Sequence, residues 1–429
     1  MPFGLDHPVW VDDPDLDVRS HVHRVRAQAP GSERVLADLV AHIASQPLDR
    51  ARPLWQLWVV EGLAEGHVAL VFKLQHAVGD GVSAALLLLQ LLDSSPEGEE
   101  ADSSMARMQP ASLPTNAALL GHALSRLPWR SARLARLVRA TAGSVGGMVR
   151  ARVAGAPGGP RMPMPFSAPE TPWNRAVGSK RSVAFGRARL ADVKVVCSVF
   201  RTTVNHVVLA ACTQTLRSYL EAHGGAPDAP LVAAIPISLR GPEELTTYGN
   251  RISALLVHLP IHLEDPVDQL LALRHDAESS KQIHARLGIS ALGEWAEFTS
   301  TGFLGIAARF YAERKLANRH RPLHNLVISN VRGPEAPIYA AGARLTGAYP
   351  LGPLMEGAGM NITMLSYADS VDFGIVACEH AVPQVGDIAL GFGAAVAKLL
   401  KLALRESERS PVEGERATPG RTPVSATEG

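Results

Sequence analysis

Three cysteines in 429 residues, Cys197, Cys212 and Cys378, are too few and too scattered to form a disulfide framework. No His or Cys cluster stands at metal-ligand intervals, so no metal site is expected, and isolated thiols suit a reducing cytosol. Long hydrophobic runs are also missing. The longest, near Val82 to Leu92, is about half the length of a membrane span and is interrupted by Gln90. The opening residues Met1 to His7 lack a basic segment followed by an apolar one, so no secretory signal is expected there. Acidic residues are absent from residues 103–169, a stretch that holds nine arginines. A net charge of +1 therefore argues against a global polyanion binder, nucleic acid included, yet hides a local basic surface. No repeat with a period of about 20–50 residues interrupts the chain.

What is present is enough apolar residue, 46%, to fill two cores at a length where one core stops growing. Patterning predicts a strand pair over residues 54–60 and 67–74, followed by a helix of about 12 residues ending near Asp93. Residues 94–114 read as an irregular linker, 116–153 as helix with breaks at Pro128 and Gly146-Gly147, and 155–172 as a second flexible stretch. From Arg181 a second α/β unit is expected. Its strands are 183–185, 231–237, 251–259, 325–330, 343–349, 360–367 and 371–378, and its helices 190–199, 203–222, 265–284, a further helical region to about 318, and 387–405. Interleaved strands and helices argue a mixed α/β architecture. The tail after residue 405 is polar, Pro-containing and expected to be disordered.

The segment Gln75-His76-Ala77-Val78-Gly79-Asp80-Gly81 is the most informative in the chain. It puts a histidine where a buried strand hands over to a loop, a common address for catalytic groups. Imidazole takes a proton near neutral pH, and an aspartate four residues on can hold the turn that aims it. The bland alternative is a histidine in an ordinary Asp-Gly turn.

With Pro47-Leu48-Asp49-Arg50-Ala51-Arg52-Pro53-Leu54-Trp55 upstream, the segment resembles the His-His-x-x-x-Asp-Gly signature of CoA-dependent acyltransferases. More narrowly, it resembles the bacterial wax ester synthase/diacylglycerol acyltransferase family. Asn205-His206-Val207-Val208-Leu209-Ala210, Gly249-Asn250-Arg251, Ser329-Asn330-Val331-Arg332-Gly333-Pro334, and Asn361-Ile362-Thr363 with Ser366-Tyr367 are similar to that family's later blocks, in its order. Three positions depart from the pattern. Gln75 replaces the first histidine, His206 an aspartate, and Arg332 a proline. Gln75 can hydrogen-bond but cannot carry a proton charge.

The resemblance implies two chloramphenicol-acetyltransferase-like domains, each a mostly antiparallel sheet with helices on one side, and an active-site tunnel between them. The expected division is residues 1–100, an Arg-rich crossover at 101–178, a second domain at 179–405, and the tail. Family members carry a few tens of residues ahead of the segment matching Pro2-Phe3-Gly4, which supply an opening strand and helix. A start assigned too late is the favoured explanation, over a trimmed first domain.

The implied activity is O-acyl transfer from a long-chain acyl-CoA to diacylglycerol, and to fatty alcohols for wax esters, with acyl-CoA as substrate and no cofactor. His76 would take the hydroxyl proton and return it to the leaving thiolate. No cysteine lies in a nucleophile motif, which agrees with direct transfer. Asp80 is implied to point away from substrate and brace the loop through an arginine, Arg50, Arg52 or Arg251, and Gly81 to permit a conformation or approach that a Cβ would forbid. Asn330, Asn361 and Thr363, and with them Asn205 and Asn250, are the candidates for oxyanion or substrate contacts. Their alternative role is to satisfy buried backbone at strand ends. His206 reads as structural.

Arg126, Arg130 and Arg133 share one helical face and Leu127, Leu134 and Val138 another, as an interfacial helix on anionic membrane or a lipid droplet requires. A solvated arginine face is the alternative. Two other functions stay open: a condensation-type or polyketide-associated acyltransferase, and a catalytically impaired lipid-binding protein, which Gln75 and His206 would suit.

Overall fold

The computed structural model describes residues 9–98, 114–153, 163, 166–238, 252–287 and 301–409. The first unit is a three-stranded sheet of β1 (Val22–Arg26), β2 (Trp55–Glu61) and β3 (Ala69–Leu74), in that order, with β1 parallel and β3 antiparallel to β2. Helix α1 (Glu33–Ser45) joins β1 to β2, and α2 (Gly81–Leu89) follows β3. Neither β1 nor α1 is anticipated by the patterning above, although α1 carries both helix signals. Ser32 caps its first turn through Val35 N, and its buried residues Ala37, Val40, Ala41 and Ile43 recur at helical spacing.

A long helix, α3 (Asn116–Val153), crosses to the second unit. It runs through Pro128 and Gly146-Gly147, where breaks are expected. The loss of one backbone hydrogen bond at a proline is absorbed in a 38-residue helix rich in Ala, Leu and Arg.

The second unit is built on a six-stranded mixed sheet. In chain order its strands are β4 (Arg181–Arg189), β5 (Leu231–Ser238), β6 (Ile252–Leu259), β7 (Leu326–Arg332), β10 (Met360–Tyr367) and β11 (Ser370–Cys378). In space they run β4-β11-β10-β7-β5-β6, with the pairs β10/β7 and β7/β5 parallel and the others antiparallel. One face is covered by α4 (Leu190–Val199), α5 (Val204–Ala222) and α8 (Val385–Arg409), with α6 (Pro266–Leu287) against α5 and β6. Apolar residues alternate onto that face from every strand, among them Ala184, Ile235, Val257, Ile328, Ile362 and Phe373. Phe373 lies 4.1 Å from Phe392 of α8, ring centroid to centroid. Helix α7 (Thr301–Glu313) stands in the helical region expected up to about residue 318, of which residues 288–300 lie outside the described ones.

The strand expected over 343–349 is cut to a two-residue β9 (Ala343–Arg344), paired only with β8 (Tyr339–Ala340). Beyond it the backbone binds side chains instead of a strand. Thr346 O accepts from Arg187 Nη2 at 2.6 Å, and Ala348 N donates to Asp372 Oδ2 at 2.8 Å. Arg187 and the fully buried Asp372 sit opposite each other on β4 and β11 and pair through two hydrogen bonds, Nε to Oδ1 at 2.6 Å and Nη2 to Oδ2 at 3.1 Å. A buried carboxylate needs such partners.

The other face of the large sheet meets the first unit. Ala37, Val40 and Ala41 of α1 pack on Val183, Phe185 and Val376, with Val71 of β3 alongside. Two polar ties reinforce this seam at the end of α1. Ser45 Oγ accepts from Arg181 N at 2.9 Å, and Lys73 Nζ donates to Ile43 O at 2.7 Å and to Gln46 O. Burial pushes the Lys73 amine below its ordinary pKa, and the helix-terminal carbonyls compensate as acceptors for its charge. Lys73→Met should lower stability by about 1.5–3 kcal/mol, the worth of charge-assisted hydrogen bonds, and Ser45→Ala by about 1 kcal/mol, both read by chemical denaturation. Unchanged denaturation midpoints in both variants would remove these ties from the account.

Candidate active site

The end of β3 sets the site. Trp55 pairs with Leu74, and Gln75 N extends the ladder by donating to Leu54 O at 3.0 Å. The chain then folds over a four-residue turn closed by Val78 N to Gln75 O at 2.9 Å, with His76 and Ala77 at its tip. The side chain of Gln75 accepts from His76 N at 3.1 Å. Gln75 thus holds the turn from both its backbone and its amide, and the imidazole of His76 stands exposed.

Asp80, 1% exposed, is the N-cap of α2, its Oδ1 accepting from the buried Ser83 N at 3.0 Å. The carboxylate is therefore turned into the structure while His76 faces out. Among the arginines named as its brace, Arg52 lies 3.7 Å from Asp49, Arg50 lines a cavity of about 250 Å³ with Leu54, Lys73 and Gln75, and Arg251 lies outside the described residues, as does Asn250. The glycine that cannot bear a side chain is Gly79, where a Cβ would sit 2.5 Å from Ser83 Cβ. Gly81, expected to have that role, would only bring a Cβ into ordinary contact, 3.5 Å from Val331 Cγ2. Its importance is positional, because it marks where the start of α2 meets β7.

Of the second-unit candidates, Asn361 and Thr363 share the face that meets the first unit, in register with Val376 and with Gly374. Both are buried and they bond to each other, Thr363 Oγ1 donating to Asn361 Oδ1 at 2.8 Å, while Asn361 Nδ2 donates to Pro353 O at 3.2 Å. Asn330 pairs with Met364 and alternates with Ile328, so it belongs to the helix-covered face, not to the face beside His76. Asn205 and His206 open α5 on that same helix-covered side. His206 is buried and shares a hydrogen bond with Thr202 Oγ1 at 2.9 Å, a structural setting.

Sequence reasoning missed one pair. Cys378 Sγ lies 3.2 Å from His380 Nδ1 and accepts from Gly178 N at 3.2 Å. It closes β11 at the end of the sheet away from Val331, so it cannot serve His76. The two residues stand only two apart, but a Cys-x-His in a strand end carries no signal by itself. A larger cleft of about 550 Å³, lined by Glu170, Gly225 and Arg321 among others, also opens at the far end, near the starts of β5 and β7.

Two α/β units meet across one sheet face, and the first of them carries an exposed histidine turn and a buried aspartate. The catalytic-domain profile of the wax ester synthase/diacylglycerol acyltransferase family matches residues 1–208, and its C-terminal-domain profile matches residues 248–399. A Mycobacterium tuberculosis protein named a diacylglycerol O-acyltransferase, Rv1760, is 36% identical over 408 residues, covering 95% of this chain and 79% of that one. A second, Rv0221, is 32% identical over 418 residues, covering 97% and 86%. The solved structure of the wax ester synthase/diacylglycerol acyltransferase from Marinobacter aquaeolei VT8 superposes with a TM-score of 0.65 at 28% identity, over 92% of this chain and 83% of that one. The chain belongs to the wax ester synthase/diacylglycerol acyltransferase family.

Asp80→Asn keeps a good N-cap and removes the charge, whereas Asp80→Ala removes both. If the cap is the main role, Asp80→Ala should lose about 1 kcal/mol and Asp80→Asn much less; a charge brace would make the two losses equal. Gly79→Ala should destabilise the fold while Gly81→Ala, at a helical position, should stabilise it by about 0.4–1 kcal/mol, measured by thermal unfolding.

Proposed function

We propose that this chain transfers a long-chain acyl group from acyl-CoA to the free hydroxyl of diacylglycerol, giving triacylglycerol, with fatty alcohols as a second acceptor class giving wax esters. The observation that carries the reading is His76, exposed at the tip of a turn restrained on both sides and followed by a helix whose first residue, Gly81, approaches Val331 of the second unit's sheet. Relatives named for diacylglycerol acyl transfer span both units.

In this mechanism the imidazole of His76 removes the hydroxyl proton as the oxygen attacks the thioester carbonyl, and returns it to the thiolate of CoA as the tetrahedral intermediate collapses. Gln75 restrains the turn as a neutral residue and leaves the proton work to His76. A tunnel along the seam would let donor and acceptor meet there. No acyl-enzyme is needed. Burial pushes the Cys197 thiol up to about 11 and the Cys212 thiol to about 12, so neither is a thiolate at neutral pH.

Among the described residues no single helix is long and apolar enough to cross a membrane. The hydrophobic acceptor would be met at a surface, from the cytoplasmic side of a membrane or lipid droplet. The α3 segment around Arg126 to Arg139 supports that placement: Arg126, Arg133, Arg136 and Arg139 are exposed, and with them Trp129, Leu134 and Val138. The side chains of Leu127 and Arg130 lie outside the described ones.

The test is turnover of labelled acyl-CoA with diacylglycerol or hexadecanol. His76→Ala should lower kcat by roughly 10²–10⁴-fold with the fold intact by circular dichroism, and Cys378→Ser should retain turnover. Equal activity in His76→Ala removes the base assignment, and no turnover in the unsubstituted protein with either acceptor favours a lipid-binding role.

A further inference from the structure

The oxyanion of the tetrahedral intermediate needs a donor on the sheet face that meets the first unit, the unit that carries His76, and strand register decides which side chains qualify. Along β7, Leu326, Ile328 and Asn330 alternate with Val327, Ser329 and Val331. Leu326 and Ile328 join the helix-covered core and Asn330 lies exposed on the same side, so the second set faces the first unit. Ser329 is in register with Thr363, and Val331 with Leu365. Val331 is the residue that Gly81 approaches at the start of α2. Ser329 therefore stands one step along the same face, about 7 Å down the strand from Val331, and is half-buried.

Polar groups beside it on that face have partners of their own. Thr363 donates to Asn361, Asn361 to Pro353 O, and Arg187 to Asp372 and Thr346 O. The Ser329 hydroxyl makes no hydrogen bond with any of the described residues. We propose that Ser329 is a catalytic residue whose hydroxyl donates to the oxyanion during acyl transfer, an assignment that rests on the acyl-transfer reading above.

The acceptor oxygen bonds to the thioester carbon as His76 takes its proton, and the carbonyl π pair moves onto oxygen, where Ser329 Oγ–H donates a hydrogen bond. The pair then reforms the carbonyl, the C–S bond breaks, and the thiolate leaves with the proton from the imidazolium. The hydrogen-bonded Asn361–Thr363 pair lies beside Ser329 on the neighbouring strand.

The experiment pairs steady-state kinetics with isotope-edited infrared spectra of bound acyl-CoA carrying ¹³C at the thioester carbonyl. Ser329→Ala should lower kcat by roughly 10²-fold with little change in KM, and Ser329→Thr, which keeps the hydroxyl, should recover most of the loss. The bound carbonyl band should lie at lower frequency in the unsubstituted protein than in Ser329→Ala, at equal thermal stability. An unchanged kcat in Ser329→Ala, a loss that appears in Asn330→Ala instead, or identical carbonyl bands would overturn the assignment. An unsubstituted protein that turns over neither acceptor defeats the acyl-transfer reading, and the carbonyl band still decides whether Ser329 polarises a bound thioester.

Discussion

The last turn of α1 is the constraint on which the site depends. Its carbonyls at Ile43 and Gln46 hold Lys73 of β3, and its Ser45 hydroxyl holds the backbone of Arg181 at the start of β4. Lys73 is three residues from His76. A single helix end thus ties the strand that carries the histidine to the sheet that faces it. The apolar packing of Ala37, Val40 and Ala41 on Val183, Phe185 and Val376 supplies most of the burial, because small residues let helix and sheet approach closely. Packing alone is non-directional, and the polar ties select one register of the seam.

Within that frame two buried acidic residues have structural roles. Asp80 caps α2, which sets the far side of the histidine turn, and Asp372 fixes Arg187 and the 346–348 backbone on the sheet. Both are nearly or fully buried, where a carboxylate persists only with directed donors around it. The exposed group is the imidazole. An exposed imidazole and a buried carboxylate thus stand four residues apart in sequence, His76 outward and Asp80 inward.

The departures from the family pattern are absorbed locally. Gln75 replaces a histidine with an amide whose oxygen accepts the next backbone N–H, a bond made within the turn itself. His206, in place of an aspartate near the start of α5, is buried against Thr202 on the side of the sheet away from His76.

Much of this protein was legible in order along the chain. The strand leading to His76, the helix after Asp80, the helices at 190–199 and 204–222 and the strands from 231 to 378 follow from periodicity and capping, because those are local properties of side-chain spacing. The Gln75-to-Gly81 segment and the later blocks pointed to one family for the same reason. Position on a face was not legible. Whether Asn330 or Ser329 turns toward the histidine depends on the pairing of β7 with β10, and whether Gly79 or Gly81 tolerates a Cβ depends on Ser83 one turn later. The backbone of 343–349 prefers an Arg–Asp pair brought from two distant strands over a strand of its own. The sequence by itself determined the elements and the histidine; the tertiary structure decided which groups share its face, because strand alternation and long-range contacts set direction only once the sheet is assembled.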